Sequence, residues 1–165
     1  MDTMAMPATR RPNRIATWAA LAVSIVCVAV VAVVGSLATD TDPGSWYSTL
    51  DQPAWNPPDW LFAPVWTALY VLMAIAAWLV WRAGAVRPLY VYAVQLVLNL
   101  AWTLVFFGAE STWGGVAVIT ALWIAIVVTI AAFRPVHATA AWLLAPYLAW
   151  VTYAAALNLA IALAS

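Results

Sequence analysis

The sequence predicts an all-α integral membrane protein: a five-transmembrane-helix bundle with a cytoplasmic N-terminus and a long Trp- and Pro-rich loop between its first two helices. Three observations predict it. Of the 165 residues, 67% are hydrophobic and 7% charged, whereas a soluble domain is roughly 45–50% apolar and about 25% charged. The apolar residues collect into five stretches of bilayer-crossing length, parted by Pro, Gly and charged residues. A five-span chain also puts all six Arg residues on one side of the membrane.

Residues 1–14 form a polar, basic tail, and residues 15–165 a single membrane domain with helices expected at about 15–39, 60–82, 88–108, 113–133 and 138–164. The first apolar run, Ile15 to Ala38, is too long for a signal-peptide core of about 7–15 residues and suits a span. Its Ala16, Ala20, Ser24, Ala32 and Ser36 are spaced in multiples of four and give a small-residue face for close packing. Asp59 is the expected N-cap of the second span, with Pro64 just beyond the first turn, where it should remove one early hydrogen bond and tilt the helix. The third span opens with Pro88 and closes on Gly108. The fourth carries a second small-residue face, Ala117, Ala121 and Ala125, and the fifth has Pro146 in its interior, where it should kink the helix and free the carbonyl of Trp142.

Arg10, Arg11, Arg14, Arg82, Arg87 and Arg134 fall on one side, and Asp40, Asp42, Asp51, Asp59 and Glu110 on the other. Adding or removing a span would scatter the Arg residues. The pattern places the N-terminus inside and the Trp-rich loop outside. That loop and the helix it enters, Trp46 to Tyr70, hold a dense set of aromatic and Pro residues. Rings supply large apolar area with polar tips, and the prolines stiffen the chain between them. Such a loop suits a pocket cap, a membrane-interface element, or both.

No ionisable residue lies deep in a span, which argues against charge-coupled transport. There is no Ser/His/Asp set, metal-spaced cluster, phosphate-binding Gly loop or basic nucleic-acid face. Cys27 is the single Cys, and His137 lies between two loop signals, where it reads as a loop residue rather than a ligand or base. The intramembrane polar residues are amides, phenols and hydroxyls. Gln95, Asn99 and Thr103 share one stripe of the third span, Trp66 and Tyr70 a face of the second, and Tyr147, Trp150 and Ala154 a face of the fifth, with Asn158 a turn beyond. One reading makes them interhelical polar glue, with Trp78, Trp81, Trp102, Trp113, Trp123 and Trp142 as packing or interface-belt residues. The other makes them an aromatic-lined pocket with a few orienting groups, suited to a flat polycyclic guest.

Several segments resemble the TspO/translocator-protein family, also known as tryptophan-rich sensory proteins or peripheral-type benzodiazepine receptors. They are Trp46-Tyr47, Leu50, Gln52-Pro53-Ala54-Trp55-Asn56-Pro57-Pro58, then Phe62, Trp66, Leu69-Tyr70 and Met73. In the third span they are Gln95-Leu96, Leu98-Asn99, Trp102 and Phe106-Phe107-Gly108, and in the fifth Pro146-Tyr147, Trp150 and Leu157-Asn158. The match covers essentially everything after residue 40. The resemblance implies a five-helix bundle, often a homodimer, that binds porphyrins such as protoporphyrin IX or a haem-like ligand and, in some members, sterols. The pocket it implies lies under the first loop, between the first, second and fifth spans with help from the third. By position, its ligand-binding residues are Tyr47, Trp55, Trp66, Tyr70, Asn99, Trp102, Tyr147, Trp150 and Asn158. Some bacterial relatives degrade protoporphyrin in light, which makes Trp66 and Trp150 candidates for cofactor-free photochemistry.

Two departures stand out. The animal sterol motif at the end of the fifth span is missing, the chain after Asn158 reading LAIALAS, so sterol recognition there is not expected. Leu100 follows Asn99 where some bacterial relatives carry Gln. The Lys-free, Ala-, Val- and Arg-rich composition suits a bacterial cell membrane. The expectation is a membrane-embedded tetrapyrrole-binding protein acting in handling, transport or stress signalling, in contact with membrane lipid and with no metal, cofactor or nucleic acid. Light-dependent porphyrin degradation and a ligand-independent regulatory role are the alternatives.

Overall fold

The computed structural model describes residues 14–164, so Arg10 and Arg11 of the basic tail lie outside the described residues. Seven helices follow in order: α1 (Arg14–Ala38), α2 (Trp46–Thr49), α3 (Phe62–Arg82), α4 (Arg87–Thr103), α5 (Thr112–Phe133), α6 (Ala138–Leu143) and α7 (Ala145–Ala164). With a short 3₁₀ turn ahead of α3, a π-helical turn after α4, and α6 and α7 taken together, they make five segments long and apolar enough to span a membrane. α1 packs on α3, α3 on α6, α7 on α5, α5 on α4, and α4 returns to α1, closing a ring.

Every described Asp, Glu and Arg is exposed. That is the expected outcome where burying a charge in hydrocarbon costs at least about 2.5 kcal/mol. Trp18 and Trp142 stand exposed near one end of the bundle, and Trp60 and Trp113 near the other. Amphipathic indoles favour the two interfacial levels.

The helix ends differ from the sequence expectation in four places. Asp59 does not cap α3: it opens the 3₁₀ turn Asp59–Leu61, and the residue before α3, Leu61, makes no side-chain cap. Pro64 sits in the first turn of α3, so its missing N–H falls among groups that would be unpaired anyway. α4 does not run regularly to Gly108. Residues Leu104–Gly108 form a π turn closed by Ala109 N–H donating to Leu104 O at 2.8 Å, and the left-handed residue beyond it is Glu110, at φ 51°, not the glycine. Pro146 does more than kink the fifth span: the helix breaks at Leu144 and restarts at Ala145. His137 is the N-cap of α6, its Nδ1 accepting from Ala140 N–H at 3.3 Å.

The small-residue faces also part company. On α1, Ser24 Oγ donates to the Ala74 carbonyl of α3 at 2.8 Å, whereas Ser36 at the far end is exposed. On α5, Ala117 and Ala121 point outward, and the buried stripe is Gly115, Ile119, Leu122, Ile126, Thr129 and Phe133. Gly115 is the small residue that matters there, because a Cβ on it would lie 2.6 Å from the Phe106 ring.

Candidate ligand-binding site

Below the first loop, a cavity of about 420 Å³ opens between α1, α3 and the end of α4. That volume lies within the roughly 300–1,000 Å³ of small-molecule sites. Its aromatic wall is Phe62 and Trp66 of α3, Trp102 of α4, and Phe107 of the π turn, with Tyr70 deeper on α3. Trp66 and Trp102 are stacked, with centroids 6.2 Å apart and planes at 30°. Trp66 also tilts against Tyr70 at 5.5 Å and meets the Tyr147 edge at 6.2 Å. The π turn adds a residue to one helical turn and lets two consecutive rings serve the site. Phe106 backs Trp102 at 6.3 Å while Phe107 reaches the wall.

The opposite wall is α1 and the chain leaving it, with Gly35, Ser36, Thr39 and Thr41. Most wall hydroxyls spend their proton within the protein. Ser36 donates to Val33 O, Thr39 to Gly35 O and Thr67 to Ala63 O, while Thr103 donates to Asn99 O and Tyr70 to Asn99 Oδ1. With the Asp59 carboxylate at the rim, the cavity presents aromatic faces and acceptor lone pairs. Among the described residues, its side-chain donors without a protein partner are the Trp66 indole N–H and the Thr41 hydroxyl.

Behind the wall, a buried network holds these side chains in place. Asn99 accepts from Tyr70 at 2.9 Å and donates through Nδ2 to the Tyr147 hydroxyl at 3.1 Å, so one amide joins three spans. Trp102 Nε1 donates to Asn158 Oδ1 at 2.7 Å. Above the cavity, the loop is tied down by its own polar groups. Tyr47 donates to Asn56 Oδ1 at 3.0 Å, Asn56 Nδ2 to Gln52 Oε1 at 2.7 Å, and Gln52 Nε2 to Tyr47 O at 2.8 Å, a closed circuit. Burial pushes the Tyr47 phenol above its usual range, against the opposing pull of the Asn56 bond. The Tyr47 ring rests on Phe106 and Phe107, and Tyr153 of α7 donates to the Trp55 carbonyl at 2.6 Å. The loop is a fixed roof joined to two helices.

Residues 23–164 match the sequence pattern of the TspO/MBR family. The chain belongs to that family. It is 47% identical over 125 residues to the tryptophan-rich protein TspO of Chlorobaculum tepidum, covering 72% of this chain and 79% of the relative. It is 39% identical over 144 residues to the tryptophan-rich protein TspO of Archaeoglobus fulgidus, covering 86% and 94%. The translocator protein of Ovis aries is 43% identical over 128 residues, covering 68% and 70%. Five apolar helices and membership of the TspO/MBR family make the chain a multi-pass integral membrane protein, and its bacterial relatives fit a bacterial membrane.

Of the nine residues that the family resemblance implied, Trp66, Tyr70 and Trp102 stand on the cavity wall. Asn99, Tyr147 and Asn158 lie behind it and hold the wall residues, while Tyr47 belongs to the roof. Trp55 and Trp150 are not on the wall. Trp55 is half exposed beside Tyr153, and Trp150 lies behind Phe62 at 6.0 Å. The fifth span therefore supports the cavity without lining it, and the first contributes more than its composition foretold. Phe62, Thr67, Thr103 and Phe107 also line it. Thr103 was visible as the end of the Gln95–Asn99 stripe, but nothing local marked the π turn that turns Phe107 inward.

Proposed function

We propose that the protein binds a tetrapyrrole, a porphyrin such as protoporphyrin IX or a haem-like ligand, in this cavity, as a membrane-embedded tetrapyrrole-handling protein. The observation that carries this reading is the stacked Trp66–Trp102 pair on a wall whose hydroxyls mostly present lone pairs. A flat conjugated ring matches the indole faces, on which it can stack. In this reading the Arg-bearing ends of the spans face the cytoplasm and the roofed cavity faces outward. The protein also acts as a homodimer, which a mass measurement in detergent tests directly. Light-driven degradation calls on Trp66 and Trp150 together, and Trp66 alone reaches the wall.

The test is quenching of tryptophan fluorescence by protoporphyrin IX in the dark, for the wild-type protein and Trp66→Phe, with thermal unfolding recorded for both. Saturable quenching is expected, weakened about 2- to 10-fold in the variant, since an aromatic pair contributes about 0.5–1.5 kcal/mol. Unsaturable quenching, equal in both proteins, would mean that porphyrin only partitions into detergent, and a ligand-independent interaction role would replace this reading.

A further inference from the structure

Among the described residues, the loop end of the bundle carries charge of one sign only. Asp40, Asp42, Asp51, Asp59 and Glu110 are exposed there, whereas Arg14, Arg82, Arg87 and Arg134 stand at the other end and the chain has no Lys. One of those acids belongs to the roofed cavity itself. Asp59, Phe62, Ala63, Trp66, Thr67 and Tyr70 all line it, and their spacing of three and four puts them on one face of the 3₁₀ turn and α3. The carboxylate thus stands at the mouth of the stripe that carries the indole, seven residues from Trp66 and roughly 10 Å along the axis. Helix ends do not cancel its charge. The last turn of α1 brings a partial negative end to one wall and the first turn of α3 a partial positive end to the other, about half a charge each. These offset one another, and Asp59 is left as the net charge of the mouth. Around it, Ser36, Thr39 and Thr67 donate to backbone carbonyls and keep their lone pairs for a guest.

We propose that the cavity is also a binding site for a flat aromatic cation, a polycycle bearing a protonated amine, with its rings against Trp66 and its ammonium group at Asp59. An ammonium group has three donors and no acceptor, the complement of a carboxylate flanked by hydroxyl lone pairs. An indole face stacks on a fused ring and attracts positive charge as well, so the same wall favours both parts of such a guest. The distance between indole and carboxylate suits rings joined to the amine by a short arm. A guest bearing a carboxylate meets the like charge of Asp59 at the mouth, and no Arg at this end compensates it. The acidic loop end also draws cations toward the mouth before they bind. This inference shares the cavity with the tetrapyrrole reading but does not rest on it: a porphyrin uses the indole faces, and the amine adds the rim.

The test uses the full-length protein in an uncharged detergent at neutral pH and low salt, titrated with 1-pyrenemethylamine, 1-pyrenemethanol and 1-pyreneacetic acid. One ring system then carries a positive, a neutral or a negative group, and energy transfer from tryptophan to pyrene reports binding. The amine should bind saturably and about fivefold more tightly than the alcohol, as suits an exposed carboxylate, with the acid weakest. Added salt should narrow the gap. Asp59→Asn should bring the amine to the level of the alcohol, while Glu110→Gln, which removes a charge from the same end but not from the cavity, should keep most of the preference. If Asp59→Asn does not fold, the order of the three pyrenes and its salt dependence in the wild type decide. Unsaturable transfer, equal binding of the three guests, an order led by the acid, or a preference kept in Asp59→Asn would each overturn the proposal. So would an equal loss in Glu110→Gln, because the attraction would then belong to the whole acidic end. Protoporphyrin quenching measured alongside keeps the two readings apart, since either guest can bind where the other fails.

Discussion

The two ends of the α4 stripe treat their amides in opposite ways. Toward the loop, Asn99 joins Tyr70 and Tyr147, and Trp102 is fixed by Asn158, so the polar atoms backing the roofed cavity are paired. One turn toward the Arg end, among the described residues, Gln95 is buried with neither amide atom bonded, and Tyr92 is buried with its hydroxyl unpaired. The same residue chemistry on one face of one helix thus builds a rigid support in one half and leaves unused capacity in the other. The lesson concerns neighbours. Tyr70, Tyr147 and Asn158 reach the outer half from α3 and α7, whereas the core residues of α1, α3 and α5, among them Val28, Met73, Ala77, Val80, Ile126 and Phe133, are apolar. Polar satisfaction in a membrane bundle is a property of facing helices, and it separates a preorganised site from an apolar core.

The sharpest way to break this comparison is Asn99→Leu. It leaves the Tyr70 and Tyr147 hydroxyls without their partner, and about 2–3 kcal/mol of stability should be lost, since an orphaned buried polar group costs about 1–3 kcal/mol. A lowered melting temperature in detergent, with weaker protoporphyrin quenching, is the expected result; unchanged melting would show that the network holds nothing. Trp102→Phe should follow with about 1–2 kcal/mol, because Asn158 Oδ1 loses its donor. Its effect should be larger on porphyrin affinity than on melting, as Trp102 is also wall.

Gln95→Met tests the other half. Replacing an unpaired amide with an apolar side chain of similar shape should leave stability unchanged or raise it by about 1 kcal/mol. A loss as large as that of Asn99→Leu would erase the distinction between the two ends. The smallest effect expected is a pH dependence of the loop circuit. The folded state raises the Tyr47 phenol above 10.0, so it favours the protonated form. Its contribution is full below about pH 10 and is lost as pH rises through the folded value. A spectroscopic titration should show one late-titrating tyrosinate fewer in Tyr47→Phe than in the wild type.

Composition and the one-sided Arg distribution made the five spans legible, because a bilayer forbids buried charge and dictates span length. The Gln95, Asn99 and Thr103 stripe was legible from helical spacing, and a kink near Pro146 from the chemistry of proline, though not the full break found there. The site was legible in part. Trp66, Tyr70 and Trp102 stand out on helical faces, but their partners lie on other helices, and Asn99 is 48 residues from Tyr147. Hydrophobic periodicity does not orient a helix whose lipid side is as apolar as its core, so the outward turn of Ala117 and Ala121 could not be read.

By itself, then, the sequence determined the medium, the number of spans and the stock of polar and aromatic groups, since these follow from composition and local chain geometry. Tertiary structure alone decided which of those groups meet. The π turn that brings Phe107 to the wall, the 3₁₀ turn that displaces Asp59 from its cap, and the choice of Asn99 over Gln95 as the joining amide all depend on contacts between helices distant in sequence. Such contacts are set by packing in three dimensions, and no local preference encodes them.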